Sequence, residues 1–244
     1  MFFTQKNKRV NKMSIFKKVK NNGSRKYYLF GIKVYENQKK PKLKGDLSDN
    51  KVTLPDTGKY NVQIFGKNNE VYINPENKKS SLSLIIYGDN NKVTIHSTEE
   101  THLHGVIGDI NTKTKNTVLS VDKKTSIGNM FFILMDDNSQ IKVGKNCMLS
   151  TNIEVLASDT HSILDENGNL INQGEKIIIG DSVWIGKDVK ILKNTTIPNG
   201  CVVGTGSIVS KKISTPNAIL AGIPAKVVKE NISWSRKRPN EFLK

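Results

Sequence analysis

Long apolar runs and cysteines are both scarce in this sequence of 244 residues. No uninterrupted apolar stretch is long enough to span a bilayer, and residues 1–6 lack the apolar segment of a secretory signal. The two cysteines, Cys147 and Cys201, are too few for a disulfide-built scaffold, and they occupy equivalent slots of a repeat described below. These absences predict a reduced, cytoplasmic protein.

Acidic residues are nearly absent from the first 45 positions. Fourteen lysines and arginines accompany a single acid, Glu36, so this segment carries +13 of the net charge of +16. Basic residues interleaved with aromatics, as in 27–34, suit an anionic glycan or the anionic inner face of the cytoplasmic membrane. Nucleic acid fits the charge alone, but no nucleic-acid motif accompanies it, so none is expected as a partner. We treat residues 1–45 as a basic N-terminal arm, the alternative being a solvated extension with one short β segment.

The segment 179–213 repeats every six residues. Third and fourth positions are rich in Gly, Asn, Asp and Lys, first positions are aliphatic, and fifth positions are small or β-branched. The first positions are Ile179, Ile185, Ile191, Ile197, Val203 and Val209, and the fifth positions are Val183, Val189, Thr195, Cys201, Ser207 and Ile213. A period of six fits neither a helix nor an alternating strand. It predicts a short strand and a corner, repeated as a β-solenoid.

Looser copies of the repeat precede this segment. Similar stretches begin at Asn50, Asn69, Asn91 and Asn116, and their valines lie 19, 22 and 25 residues apart. These spacings predict coils with short insertions at their corners, at 75–81, 97–105 and 109–115. The solenoid is therefore expected to occupy residues 46–215.

The six-residue repeat becomes regular over 143–160 and ends at His161. Residues 162–176 have no place in a coil, contain a turn-forming stretch at 165–169, and are followed by renewed regularity at Ile177. We therefore predict a protruding loop over 160–176. A long loop that leaves a rigid solenoid is where function is expected.

These motifs resemble the hexapeptide-repeat acyltransferases, an all-β family whose fold is the left-handed parallel β-helix. Residues 158–163, the loop, and 177–186 are similar to the branch that contains galactoside, maltose and capsular polysaccharide O-acetyltransferases. The Ala-Gly-Ile-Pro-Ala-Lys stretch within 218–229 is a further family hallmark. The resemblance covers residues 92–234, not the basic arm, and implies that 216–244 completes the cofactor site. The repeat by itself indicates the fold and not the activity.

In that family the histidine that matches His161 is the general base. A neutral imidazole can accept the proton of a sugar hydroxyl as its oxygen attacks acetyl-CoA, an already activated thioester. No metal and no covalent enzyme intermediate are then required, and a backbone N–H at a coil corner would stabilise the oxyanion. The alternative for His161 is a solvated side chain. Asp159 is a candidate for orienting the ring, or for capping the turn.

The resemblance also implies a set of cofactor residues. The tryptophan that matches Trp184 lines the cleft for acetyl-CoA and acceptor, with packing against the 160s loop as the alternative. The other matched positions are Lys187 and Thr205 for the pantetheine arm, Ser210 and Lys211 near the adenine, and Lys226 and Lys229 for the phosphates. Many relatives have arginine at the last two positions, where lysine supplies a point charge. A solvated basic segment is the alternative there.

Residues for the acceptor and for a metal are less clearly marked. Asp136 and Asp137 lie one coil before His161 and are candidates for binding sugar hydroxyls, or alternatively corner residues. His96, His102 and His104 invite comparison with solenoid carbonic anhydrases, which use an H-x4-H pair and a third histidine. This sequence has H-x-H in a corner-like stretch, so no metal is expected.

Two functional classes fit these motifs. The first is an acetyl-CoA-dependent O-acetyltransferase that acts on a hydroxyl of a bacterial surface glycan (capsule, lipooligosaccharide or O-antigen) or its sugar precursor. An N-acyltransferase on an amino-sugar nucleotide, or a serine or antibiotic acetyltransferase, is the enzyme alternative. The second class is a non-catalytic solenoid that binds glycans or acts as a scaffold. The family's site lies between solenoids, which implies a homotrimer with His161 and the Trp184 coil facing Thr205 and Lys226 of a neighbour.

Overall fold

The computed structural model describes residues 16–21, 24–29, 32–38, 41–45, 47–56, 58–77 and 79–243. Its contacts divide the chain into two units, Met1–Lys39 and Lys40–Lys244. The first unit contains β1 (Phe16–Asn21), β2 (Ser24–Leu29) and β3 (Ile32–Gln38), which pair antiparallel in that order. The alternative of one short β segment therefore underestimates the strand content of this unit.

The second unit carries the remaining strands. They are β4 (Lys42–Gly45), β5 (Lys51–Thr53), β6 (Lys59–Phe65), β7 (Glu70–Ile73), β8 (Ser81–Asp89), β9 (Lys92–Ile95), β10 (Thr101–Ile107), β11 (Thr114–Lys115), β12 (Val118–Val121), β13 (Ser126–Leu134), β14 (Gln140–Val143), β15 (Met148–Leu149), β16 (Ile153–Leu156), β17 (Lys176–Ile179), β18 (Trp184–Ile185), β19 (Lys190–Leu192), β20 (Thr196–Ile197), β21 (Val202–Val203), β22 (Ile208–Val209), β23 (Ile219–Gly222) and β24 (Ala225–Lys229). A single 3-10 turn, Pro239–Glu241, follows them. The described part of the chain contains no helix long and apolar enough to cross a bilayer.

Strands of successive coils pair in parallel, which makes the second unit a β-solenoid. Face 1 is a seven-stranded sheet in the order β20-β17-β14-β12-β9-β7-β5. Face 2 is the ladder β15-β18-β21-β23, and face 3 is the ladder β16-β19-β22. Strand β13 begins both ladders, because its first half pairs with β15 and its second half pairs with β16. The chain therefore visits faces 1, 2 and 3 in turn, and only at its end does β24 run back antiparallel to β23.

The first and fifth positions of the hexapeptides form the core, as predicted. All six first-position side chains are at most 1% exposed: Ile179, Ile185, Ile191, Ile197, Val203 and Val209. The fifth-position side chains fill the corners and are equally buried, apart from the partly buried Ile213. Because burying one aliphatic side chain is worth about 1.5–3 kcal/mol, these stacked rows hold consecutive coils in register.

Asparagine makes many of the corners possible. Thirteen of the described non-glycine residues have positive φ, and nine of them are asparagines, including Asn146 (58°) and Asn194 (60°). Asparagine adopts this left-handed conformation more readily than most residues because its short polar side chain can bond locally. In the earlier coils asparagines also link one coil to the next, since the Asn91 N–H donates to Asn69 Oδ1 at 2.9 Å.

One predicted corner is a strand. A corner is expected at 97–105, but Thr101–Ile107 form β10, which pairs in parallel with β8 and β13. Glycine is required within β10, because a Cβ on Gly105 would lie 2.3 Å from the Phe132 carbonyl oxygen. The solenoid also starts earlier than residue 46, since β4 pairs with β6.

Candidate active site

In each of the later coils one corner leads from face 3 back to face 1. We call it the loop corner: it comprises 135–139, 157–175, 193–195 and 210–211, which follow β13, β16, β19 and β22. No strand occupies 157–175, where an isolated bridge joins Leu164 to Leu170. The predicted base His161, the acceptor candidates Asp136 and Asp137, and Ser210 with Lys211 all lie in this corner.

His161 lies near the start of the long loop with an exposed side chain. Its carbonyl oxygen accepts a hydrogen bond from Asn172 Nδ2 at 2.8 Å, which ties the two limbs of the loop together. The N–H of Thr160 donates to Ser158 Oγ at 3.0 Å. The ring is thus accessible to a substrate hydroxyl, while the main chain beneath it is fixed.

Thr160, the residue before His161, has a strained backbone. Its φ is 65°, and it is the β-branched member of the thirteen described residues with positive φ. This conformation costs a β-branched residue on the order of 1–3 kcal/mol, and such strain concentrates at functional sites. The surrounding hydrogen bonds must offset that cost.

Asp159 fastens the loop instead of orienting the imidazole. Its carboxylate accepts hydrogen bonds from Lys193 Nζ and, at 2.8 Å, from Asn172 Nδ2. The Lys193 hydrogen bond, helped by Asn172, lowers the pKa of the Asp159 carboxyl and keeps it ionised. No hydrogen bond joins Asp159 to the His161 ring within the described residues.

Asp136 and Asp137 each accept a hydrogen bond from a backbone N–H of an adjacent coil. Asp136 Oδ2 accepts from the N–H of Gly174 at 3.0 Å, and Asp137 Oδ1 accepts from the N–H of Lys115 at 2.8 Å. A carboxylate offers about four acceptor sites, so both groups keep capacity for sugar hydroxyls. Binding of the acceptor by these two residues stays a prediction.

Trp184 projects outward from face 2. It lies on β18 between Met148 and Val202 of the adjacent strands and is 38% exposed. Its ring centroid is 6.0 Å from that of Trp234, with the planes tilted by 46°, and Trp234 Nε1 donates to the Ser182 carbonyl at 2.6 Å. Trp184 therefore packs against residues 230–243, which we call the C-terminal tail, and the alternative contact with the 160s loop is not among its described contacts.

Lys187 and Thr205 stack in successive coils at the corner between faces 2 and 3. The N–H of Gly206 donates to the Lys187 carbonyl at 2.9 Å. A Cβ on Gly186 would lie 2.8 Å from the Thr205 nitrogen, so this close approach requires glycine. Backbone groups and exposed side chains of two coils thus meet beside Trp184.

Lys226 and Lys229 extend the same side of the solenoid. Both are exposed on β24, which pairs with β23 at the end of face 2. Their charges are available to anionic groups, in keeping with the predicted phosphate contacts. Ser210 and Lys211, the predicted adenine contacts, instead lie at the loop corner.

Within a single chain, the two halves of the predicted site lie on different sides of the solenoid. Because a coil visits the three faces in turn, the loop corner between faces 3 and 1 lies opposite face 2. His161 is therefore on one side, whereas Trp184 groups with Thr205 and Lys226 on the other. This corrects the expected grouping of His161 and Trp184 against Thr205 and Lys226.

The remaining histidines have structural partners. His102 contacts Ser81 Oγ through Nδ1 and Glu100 Oε1 through Nε2, both at 2.8 Å. His104 packs on Phe131 and His96 packs on Tyr72, with centroids 5.1 and 5.6 Å apart. Among the described residues, no three His, Cys, Asp or Glu side chains are grouped to hold a metal.

Three residues of this region are missing from the predicted set. Lys193 and Asn172 bind Asp159, and Trp234 packs on Trp184. Lys193 occupies a third hexapeptide position, where corner residues are common, so nothing in the sequence distinguishes it. Trp234 did offer a signal, because it is one of two tryptophans and lies in an otherwise polar, basic C-terminal stretch.

Comparison with known proteins identifies the family. The chain is 36% identical over 177 residues to a polysialic acid O-acetyltransferase from Neisseria meningitidis, covering 72% of this chain and 80% of that protein. It is similar to the crystal structure of the polySia-specific acetyltransferase NeuO, with a TM-score of 0.63, 31% identity, and 81% and 78% of the two chains covered. The polysialic acid O-acetyltransferase OatWY gives a TM-score of 0.52 and 30% identity, with 81% and 89% covered.

No family model matches the sequence. The structural likeness confirms the predicted left-handed parallel β-helix. The match to the meningococcal enzyme extends over nearly three quarters of this chain. The chain therefore belongs to the hexapeptide-repeat O-acetyltransferases and is an acyltransferase.

Proposed function

We propose that this enzyme transfers the acetyl group of acetyl-CoA to a hydroxyl of a bacterial capsular glycan, with His161 as general base. The acceptor class is suggested by the relatives named as polysialic acid O-acetyltransferases. The observation that carries the role of His161 is its exposed side chain on a main chain fixed at the break in the repeat. We also propose a cytoplasmic location for the reaction.

The proposed chemistry needs one base and an activated donor. The His161 imidazole takes the proton of the acceptor hydroxyl as the oxygen attacks the thioester carbonyl carbon. When the tetrahedral intermediate collapses, the C–S bond breaks and CoA leaves as a thiolate, which takes the proton from the imidazolium. The acetylated glycan and free CoA are the products.

The cofactor half of the site is assigned to face 2. Trp184 would contact the acyl end of acetyl-CoA, and the stacked corner of Lys187 and Thr205 would follow the pantetheine arm. Lys226 and Lys229 would meet the phosphates as point charges. Their common exposure along one side of the solenoid supports this assignment.

We infer that the enzyme is a homotrimer, because one chain holds His161 and Trp184 on opposite sides. A closed ring with one heterologous interface used three times would join the two halves. A row of outward aliphatic side chains on face 3 and its continuation supports an interface there. These residues align in register and are only half-buried in one chain: Ile85, Val106, Ile133, Leu156 and Leu192. Sedimentation of the native protein tests the assembly, and an active monomer would contradict it.

The activity is tested by thiol release from acetyl-CoA in the presence of polysialic acid and other capsular glycans. The native enzyme should release CoA with at least one of these acceptors. His161→Ala should lower kcat on the order of 100- to 10,000-fold, the usual contribution of a general base. His96→Ala is the matched control, since His96 is an exposed histidine that packs on Tyr72 in an earlier coil. A folded His161→Ala enzyme with native kcat would refute the assignment.

A further inference from the structure

The coil that follows the long loop holds the returning limb of that loop. Lys193 lies at the corner after β19, and its side chain is only 18% exposed. Its Nζ donates to the Asp159 carboxylate on the outgoing limb and to the Asn172 carbonyl, at 2.5 Å, on the returning limb. One lysine therefore joins both limbs of the loop to the solenoid.

Asn172 completes the connection to His161. Its Nδ2 donates to Asp159 Oδ2 and to the His161 carbonyl, both at 2.8 Å. Its Oδ1 accepts from the N–H of Ile163, also at 2.8 Å. Asp159, Asn172 and Lys193, which we call the loop clamp, thus form one hydrogen-bonded network that reaches the His161 carbonyl and the Ile163 N–H.

Apolar packing gives the loop little support. Its large apolar side chains are more than half exposed: Ile163, Leu164, Leu170 and Ile171. A segment with few buried apolar contacts opens locally at low free energy unless polar contacts hold it. The strained Thr160 backbone also needs such polar contacts, because a conformation of this kind persists only where the surrounding structure holds it in place.

We propose that Lys193 is a positioning residue for acetyl transfer, which sets the main chain of His161 through Asp159 and Asn172. This proposal rests on the proposed role of His161 as general base. The Asp159 carboxyl is ionised at neutral pH, since the Lys193 hydrogen bond lowers its pKa, so the ion pair that holds the loop is intact there.

The test replaces Lys193 and compares the variant with a matched ion pair. Lys193→Met keeps the length of the side chain and removes its charge, and Lys193→Arg restores the charge. Lys92→Met is the control, because Lys92 pairs with Glu70 at 2.9 Å and likewise lowers the pKa of its partner, in an early coil. Kinetics with acetyl-CoA and polysialic acid, and melting temperatures, are measured for each variant.

Lys193→Met should lower kcat by about 10- to 100-fold, the effect of misplacing a catalytic group by an ångström or less. The KM for acetyl-CoA should be unchanged, because the proposed cofactor residues lie on face 2. Lys193→Arg should recover most of the activity, and Lys92→Met should match the native enzyme. Asn172→Ala removes the link to the His161 carbonyl and should reproduce the loss, which supplies a second variant should Lys193→Met not fold.

A double variant shows whether Lys193 acts through His161. If it does, Lys193→Met should cost nothing further in a His161→Ala background, because residues that act as one unit are non-additive. If the kcat losses of the two single variants multiply in the double variant, the positioning role is overturned. Native kcat in both Lys193→Met and Asn172→Ala would overturn it as well, even if His161→Ala is inactive. Native kcat in His161→Ala would instead overturn the proposed function itself, so the two failures are distinguishable.

Discussion

The C-terminal tail folds back over face 2, and two side chains attach it. Trp234 packs on Trp184 and donates to the Ser182 carbonyl at 2.6 Å. The Arg236 guanidinium donates to the Cys147 carbonyl at 2.6 Å and to Ser126 Oγ at 2.9 Å, which belong to two earlier coils. We predict that two substitutions of Trp234 release the tail to two different, measurable extents.

The two substitutions differ in the contacts that they remove. Trp234→Phe keeps an aromatic ring and loses one hydrogen bond, worth about 1 kcal/mol. Trp234→Ala also loses the ring pair, worth about 0.5–1.5 kcal/mol more. The population of the undocked tail should therefore rise about fivefold for Phe and about 10- to 70-fold for Ala, since each 1.4 kcal/mol is a factor of ten.

Limited trypsin digestion measures this population, because the tail contains Arg236, Lys237 and Arg238. When opening and closing are fast relative to cleavage, the cleavage rate follows the equilibrium population of the open form. Trp184→Phe is the matched control, since it keeps both the ring contact and the donor on Trp234. Cleavage of Trp234→Ala at the native rate, or equal rates for the Phe and Ala variants, would refute the docking described here.

Three further outcomes are expected. Removing residues 1–39 should leave turnover of a small soluble acceptor intact and reduce salt-sensitive binding to anionic vesicles or anionic glycan; equal binding by both proteins would exclude the basic arm as the binding element. Cys147 should resist iodoacetamide at pH 8 until the protein unfolds, because burial raises the pKa of its thiol to about 11; rapid native-state labelling would contradict this burial. The depressed pKa of Asp159 means that its ion pair stabilises the fold above the unfolded value of about 3.9, a contribution that is lost as pH falls through the lower folded value. Lys193→Met should therefore melt below the native protein at neutral pH, and this difference in melting temperature should vanish in acid; a difference that does not change with pH would argue against the pair.

The regular coils could be predicted because their information is local. Each hexapeptide repeats the same choice of an aliphatic first position and a small fifth position, and the core contains these side chains. The interruption at His161 was visible for the same reason. The strand Thr101–Ile107 was missed because His102, His104 and Gly105 break the apolar pattern, although the buried Leu103 and Ile107 belong to the core.

The contacts that shape the site could not be predicted, because they join distant positions through the stacking of coils. Lys193 and Asp159 are 34 residues apart, Trp234 and Ser182 are 52 apart, and Arg236 and Ser126 are 110 apart. Each pair meets only after the number of residues per coil, and the length of every insertion, are fixed. A lysine or arginine at a corner is ordinary in this sequence, so its type alone does not identify a partner.

The long loop replaces one corner without breaking the stack to which that corner belongs. Its returning end takes the position of a regular corner: the Gly174 N–H donates to Asp136 in the coil before, and the Glu175 N–H donates to Asn194 Oδ1, at 3.0 Å, in the coil after. A Cβ on Gly174 would lie 2.0 Å from the Ala157 carbonyl oxygen, so this junction also requires glycine.

Stability and chemistry are therefore carried by different contacts. The stacked aliphatic rows hold the coils whether or not a loop is present, and the hydrogen bonds at 174–175 restore the corner. The segment between them is fastened to the solenoid through the loop clamp, and one of its residues, Thr160, has a backbone conformation that the coil does not need. This division explains how a rigid repeat can present a histidine at a fixed place while leaving its ring exposed to an acceptor.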